Sequence, residues 1–325
     1  MSARRGSLVL IALTAATAMT WSMLGTFDAA MGQDAPIVID RAHEGTHQPS
    51  FAAPIFFIVL GSDARSGLPE RTRYDSIHIV ALDPKSRRGT IIGIPRDSYV
   101  QSSQGYGMRK ITDLGPVEGL DGFIETVENL SGCSFDYYLV TAFEGFAGPF
   151  WRGKSEKTSR RGGLINAIGG VTAQIPQPGV TDQDALERQD PIPSGRQVLT
   201  GPQVLAFSRV RKQTSIAPGG DFGRSVNHGT VMKWVLAELA RDYRDDPGTA
   251  LRNIAAVKRL IKVNIPTLEM LRLGLFALQI KPKRITNLVV DGSTDTVNGS
   301  SIVRISARGR SQLADVCADA LLDSA

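Results

Sequence analysis

Arginines gather around a few aspartates in several short stretches of this chain. They include Gly61-Ser62-Asp63-Ala64-Arg65, Arg73-Tyr74-Asp75, Pro95-Arg96-Asp97, Arg209-Val210-Arg211 and Gly220-Asp221-Phe222-Gly223-Arg224. Guanidinium groups are planar forks of donors that match phosphate oxygens and keep their charge. Carboxylates are hard oxygen ligands, which magnesium takes together with phosphate oxygens and water. The combination points to a site that grips a metal-bound, multiply charged phosphate. Asp63 follows one expected strand and Asp75 precedes the next, so both carboxylates can reach one point. Arg209 and Arg211 are two apart and share a face in an extended segment. Arg224 and His228 share a face at the start of an expected helix. Taken singly, each arginine reads better as a surface residue, and each aspartate as a turn former.

The elements that must position these groups are legible from periodicity. Residues 55–60 form an unbroken apolar run, as a strand covered on both faces requires. Strands are expected over 77–82 and 90–94, with Asp83-Pro84-Lys85-Ser86-Arg87-Arg88-Gly89 as the turn between them. Val117, Leu120, Ile124, Val127 and Leu130 fall at helical spacing, and Ser131-Gly132 closes that helix. A strand follows over 137–141, and Gly169-Gly170 turns into another over 171–175. Helices are expected over 226–243, 249–261 and 268–278, then a strand over 285–290, a polar loop, and a closing helix over 310–322. Interleaved strands and helices give an α/β or α/β/α domain, and the expectation is a single α/β/α domain with a central mixed sheet. Leu205 and Phe207 lie close to the arginines and offer an apolar wall beside the anion site.

The 325 residues, 42% hydrophobic and 21% charged, suffice for a full core and exclude a disordered chain. A net charge of +5 is modest, but Arg152, Lys154, Lys157, Arg160 and Arg161 sit together against Glu156 alone. That stretch reads as a solvated basic loop or as a contact for acidic polymer or lipid headgroups. Arg4 and Arg5 precede an uncharged run over 6–27, long enough at about 33 Å to cross a bilayer as a helix. Residues 1–27 are therefore expected to be a cytoplasmic stub and signal-anchor, with a cleaved signal peptide as the alternative. Either exports the remainder. Residues 28–54 read as an extracellular linker and 55–325 as the catalytic domain. Cys133 and Cys317 are the only cysteines, too few for a disulfide framework and wrongly spaced for zinc. In an exported chain they are candidates to pair with each other. No nucleic-acid reading motif is present.

With these stretches in view, the chain resembles the LytR-CpsA-Psr family of cell-wall glycopolymer ligases. Besides those above, Ile168-Gly169-Gly170-Val171, Phe143-Glu144-Gly145-Phe146 and Leu199-Thr200-Gly201-Pro202-Gln203-Val204-Leu205-Ala206-Phe207-Ser208 carry the likeness. The resemblance implies transfer of a glycopolymer from a polyprenyl pyrophosphate carrier to a peptidoglycan acceptor, with release of polyprenyl phosphate, by a single-pass protein of the cell membrane. By motif, Asp63 and Asp75 are similar to magnesium ligands, with manganese a possible substitute. Arg73, Arg96, Arg209, Arg211 and Arg224 are similar to a pyrophosphate clamp, Arg65 is a weaker member, and Asp97 is positioned to orient Arg96. The catalytic set so implied is Asp75, Arg96, Arg209, Arg211, Arg224 and His228. The prenyl chain is expected in an apolar tunnel to which Leu205, Phe207 and the apolar face over 117–130 contribute.

Three departures stand out: Asn227-His228 replaces the usual arginine and glutamine, Lys110-Ile111-Thr112-Asp113 is altered, and residues 147–163 look inserted. His228 can donate to a phosphate or accept a proton from the sugar hydroxyl. Two rival readings use the same residues, a lipid pyrophosphate hydrolase and a non-catalytic binder of polyprenyl phosphates or wall polymer. The polymer transferred and the oligomeric state are left open.

Overall fold

The computed structural model describes residues 37–44, 51–62, 64, 71–148, 163–186, 189–246, 248 and 260–322. The expected anchor, Asp63, Arg65, the basic stretch 152–161 and most of the expected helix over 249–261 lie outside them.

Among the described residues, seven strands build the central sheet: β1 (Ile37–Arg41), β2 (Ile55–Ser62), β3 (Tyr74–Asp83), β4 (Arg88–Gly93), β5 (Tyr137–Ala142), β6 (Ile261–Val263) and β7 (Ile285–Val289). Their order is β6-β1-β5-β2-β3-β4-β7. Pairs β1/β6, β2/β5 and β4/β7 are parallel, whereas β1/β5, β2/β3 and β3/β4 are antiparallel, so the sheet is mixed. Among the described residues, five longer helices accompany it: α1 (Gly115–Ser131), α2 (Gly201–Arg209), α3 (Asp221–Asp245), α4 (Thr267–Ala277) and α5 (Ala307–Asp319).

Strand alternation divides the apolar side chains between the two faces. Ile58, Ile77, Ile79 and Ile92 pack with Phe123, Ile124 and Val127 of α1 and with Leu313 and Val316 of α5. On the other face Ile55, Leu82 and Ile91 meet Leu273 and Phe276 of α4. The result is the expected α/β/α layering. Cys133 and Cys317 form a disulfide with Cα atoms 4.8 Å apart, tying the exit of α1 to α5. A tie across 184 residues of chain contributes about 2–5 kcal/mol.

Several expectations are corrected. Ile37–Arg41, read as part of the linker over 28–54, is a sheet strand hydrogen-bonded on both sides. Its apolar core of three residues is too short for periodicity to separate from a tether. Arg41 anchors it further through a 2.6 Å ion pair with Glu269 of α4. Ile261, expected to end a helix, begins β6. The polar loop after residue 290 is a hairpin of Gly292–Val297 with Ser300–Ile305. Its turn residues Asn298 and Gly299 both have positive φ, 50° and 76°, as a tight hairpin turn of that hand demands. The strands escaped notice because their Ser, Thr and Asp side chains face solvent.

Helix α3 starts at Asp221, five residues earlier than the apolar pattern indicated, which places Asp221, Arg224 and His228 along one face. Its first turns lie close on the sheet. Gly93 at the end of β4 permits this approach, since a Cβ there would meet His78 Nε2 at 3.0 Å and would collide with Ser225.

Candidate active site at the mouth of an apolar cavity

Between the sheet and α3 lies a cavity of about 670 Å³. Phe57, Val59, Leu82 and Leu139 of the sheet and Val231, Val235, Leu236 and Leu239 of α3 give it apolar walls. At one end the lining turns polar, with Asp75, Arg209, Arg211, Arg224 and His228. The change follows from topology. The C-terminal end of β2, the N-terminal end of β3 and the C-terminal end of β4 all arrive at this rim, as does the start of α3. Lys233 is the cation set within the apolar stretch of α3; its ammonium donates to the Ile285 carbonyl at 2.8 Å, and burial lowers its pKa.

At the rim, Arg96 donates to Asp75 Oδ1 at 2.9 Å and lies 3.8 Å from Asp97. Burial favours loss of its proton, but Asp75, Asp97 and Asp221 together hold Arg96 above its ordinary value. Lys110 sits 3.0 Å from Asp97. Asp97 therefore bridges Lys110 and Arg96. Arg211 and Arg224 converge on Asp221 Oδ1 at 3.1 and 3.5 Å. Burial raises the Asp221 pKa, Asp97 adds to the rise, and Arg211 and Arg96 oppose it. The Arg224 side chain is only 7% exposed. A charge so buried is held in place by its partners and does not wander.

His228 donates from Nε2 to the Ser208 carbonyl at 2.9 Å, and its Nδ1 is buried without a hydrogen bond. Burial, with His78 and Arg211 adding to it, lowers its pKa to about 3. The ring is neutral near pH 7, so its one N–H is committed to Ser208 and Nδ1 is a free acceptor. This corrects the expectation that His228 donates to a phosphate; the acceptor function is the one left. Asn227 donates to the Phe207 carbonyl at 3.4 Å. The two residues that depart from the family pattern thus brace the end of α2, immediately before Arg209.

Arg73 stands apart. It pairs with Asp113 at 3.1 Å, is 59% exposed, and is not among the cavity-lining residues. Asp113 belongs to the second departure, so that sequence change supplies Arg73 with its ion-pair partner. Leu205 lines the cavity as expected, but Phe207 packs on Trp234 with ring centroids 4.8 Å apart, within a separate cluster. The apolar face over 117–130 lies against the opposite side of the sheet and lines no part of the cavity. Asp221, Lys110 and His78 were not foreseen as site residues. For Asp221 and Lys110 the signal was present, an acidic residue one turn before Arg224 and a lysine in the altered stretch.

Among the described residues no group of three His, Cys, Asp or Glu is placed to hold a metal. Magnesium needs fewer protein ligands, because it keeps waters and takes phosphate oxygens beside one or two carboxylates. Asp75 supplies one carboxylate at the rim. Ser62 at the end of β2 is paired with Tyr74 at the start of β3. The donor chemistry suits magnesium on those terms.

The chain belongs to the LytR_cpsA_psr family, whose profile matches residues 30–316. The polyisoprenyl-teichoic acid–peptidoglycan teichoic acid transferase TagU of Bacillus cereus is 28% identical over 221 residues, 66% of this chain and 62% of TagU. TagV of Bacillus subtilis (strain 168), with the same enzyme description, is 26% identical over 250 residues, 74% of this chain and 57% of TagV. The match thus spans about three fifths of the length of these relatives. The crystal structure of B. subtilis TagV aligns with a TM-score of 0.61 at 22% identity, covering 81% of this chain and 94% of that one. The protein YwtF (TagT) with bound octaprenyl pyrophosphate lipid aligns with a TM-score of 0.60 at 16% identity, covering 87% and 94%. At such identities the structural likeness is one of fold.

Proposed function

We propose that this chain transfers a glycopolymer from a polyprenyl pyrophosphate carrier to peptidoglycan, at the outer face of a membrane that residues 6–27 anchor it to. One observation carries the reading: a single cavity has walls for a hydrocarbon chain and a mouth of arginines for a diphosphate. The transferase descriptions of TagU and TagV and the lipid bound to TagT support it.

Burial of the prenyl chain supplies affinity at about 0.8 kcal/mol per methylene group. That apolar grip fixes the diphosphate at the rim, where Arg209, Arg211 and Arg224 face it. Asp75 and Asp63 would hold magnesium, whose chemistry there would be to neutralise charge on the phosphate oxygens. Arg96, oriented by Asp75 and Asp97, adds positive charge at the same edge. The muramic acid 6-hydroxyl attacks the phosphorus nearer the glycan, with His228 Nδ1 accepting its hydrogen bond. A new P–O bond forms, the P–O bond to the lipid phosphate breaks, and the hydroxyl proton passes to the departing phosphate. The arginines lower the barrier by being preorganised where charge develops.

Water entering the rim would react in place of the sugar, which is how a lipid pyrophosphate hydrolase would use the same clamp. The test supplies the full chain with lipid-pyrophosphate-linked polymer and magnesium, with and without peptidoglycan. Phosphodiester-linked product that requires the acceptor is expected, and Asp75→Ala lowers its formation roughly 100-fold. Release of free phosphorylated polymer at the same rate whether or not acceptor is present would establish the hydrolase instead.

A further inference from the structure

Two carboxylates, Asp97 and Asp221, are neighbours inside the arginine cluster, and both act on Arg96. Like charges so close are stable only when each has its own compensation. Asp97 has Lys110 at 3.0 Å and Arg96 at 3.8 Å. Asp221 has Arg211 and Arg224, both against the same oxygen, Oδ1. That oxygen is buried yet accepts no hydrogen bond. The two guanidiniums therefore neutralise it by proximity, with their N–H groups aimed elsewhere. Both of these arginines line the cavity mouth.

A diphosphate arriving at the mouth offers aligned acceptor oxygens, for which guanidinium is the better match. Asp221 then loses its compensation, whereas Asp97 keeps Lys110. An uncompensated carboxylate, half-buried beside another carboxylate and a phosphate, is costly. Binding a proton removes the charge. The groups facing Asp221 are Arg211 from the segment after α2, Arg224 from its own helix, and Arg96 and Asp97 from the segment after β4.

We propose that Asp221 is a positioning residue which keeps Arg211 and Arg224 at the mouth in the free protein and takes up one proton from solvent when a prenyl diphosphate claims them. This rests on the diphosphate site of the proposed function. One proton passes from buffer to the Asp221 carboxylate on binding and returns when product leaves; no other bond changes. The carboxyl then titrates higher in the complex than in the free protein. Affinity is full below the free protein's value and falls as pH rises toward that of the complex, by up to about tenfold per pH unit.

The experiment is calorimetric titration of the full chain in detergent, with magnesium, by farnesyl diphosphate in two buffers of different ionisation enthalpy. For the parent, the apparent enthalpy is expected to differ between buffers by the amount that uptake of up to about one proton requires. Asp221→Asn, which keeps the shape without the charge, is expected to show uptake reduced to that of the ligand's own phosphates, and a flatter pH dependence. Its affinity on the alkaline side is expected to exceed the parent's by several-fold. Asp97→Asn removes the like-charged neighbour and is expected to reduce the uptake as well, a second route should Asp221→Asn fold poorly. Equal proton uptake by parent and Asp221→Asn, or none by the parent, overturns the proposal while leaving the diphosphate site intact. Failure of farnesyl diphosphate to bind the parent contradicts the proposed function, and this inference with it.

Discussion

The imidazoles of His78 and His228 stand 5.6 Å apart, centroid to centroid, and each points Nε2 at a main-chain carbonyl 2.9 Å away. His78 on β3 reaches Ser225 in α3, and His228 in α3 reaches Ser208 in α2. The pair thereby joins sheet, α3 and the arginine-bearing end of α2. Burial lowers His78 from 6.5 to about 4, and the hydrogen bond to Ser225 opposes this only in part. A depressed histidine contributes stability that is fully present above its unfolded value and is lost as pH falls through the folded one. The fold is expected to weaken between pH 6.5 and about 4, by about 3 kcal/mol from His78 at the low end. Asp221, raised in the fold, acts in the opposite sense. Denaturant unfolding across this range checks it. A His78→Gln variant is expected to flatten the profile, and an unchanged slope would contradict the assignment.

His228→Ala is expected to lower transfer about tenfold, the worth of one hydrogen bond to the attacking hydroxyl, while prenyl diphosphate affinity changes little. Rates measured at saturating carrier separate the two effects. Equal rates for variant and parent would remove His228 from the reaction.

Arg211 and Arg73 are predicted to differ sharply, although sequence alone ranked them together. Arg211→Ala is expected to weaken diphosphate binding by about 1.5–3 kcal/mol, as loss of a charged hydrogen-bond partner does. Arg73→Ala is expected to change it by less than about 0.5 kcal/mol, since an exposed ion pair contributes little. Binding measured by calorimetry decides between them, and an equal loss for both would return Arg73 to the clamp.

The disulfide gives a further check. Thiol titration in denaturant is expected to find no free cysteine before reduction and both after it. Cys317→Ser is expected to lower stability by about 2–5 kcal/mol. Free thiols in the unreduced protein would contradict the pairing.

How far the sequence disclosed this arrangement depended on the physical signal each residue leaves. The apolar run over 55–60 and the helical spacing of Ile124 and Val127 announced β2 and α1, because burial on both faces or one stripe is written directly into residue type. Asp75, Arg96, Arg211 and Arg224 were legible as a charged set near element ends. Their partners were not. That Asp113 holds Arg73, or that Asp221 gathers two arginines, follows from register and helix start, which periodicity fixes only to within a few residues. The resemblance implies a tunnel wall at α1, but an amphipathic stripe reveals that a face is buried without revealing against which side of a sheet. Ile37–Arg41 was read as tether since its edges are polar and its pairing partners lie far along the chain.

The central claim is that one cavity receives both the oily chain and its diphosphate. A crystal structure of the protein with geranylgeranyl diphosphate and magnesium tests it most directly. The prenyl chain is expected between Phe57 and Val59 of the sheet and Val231 and Leu236 of α3, with phosphate oxygens on Arg209, Arg211 and Arg224. A diphosphate lodged at Arg73, or a prenyl chain lying outside the cavity between sheet and α3, would contradict it.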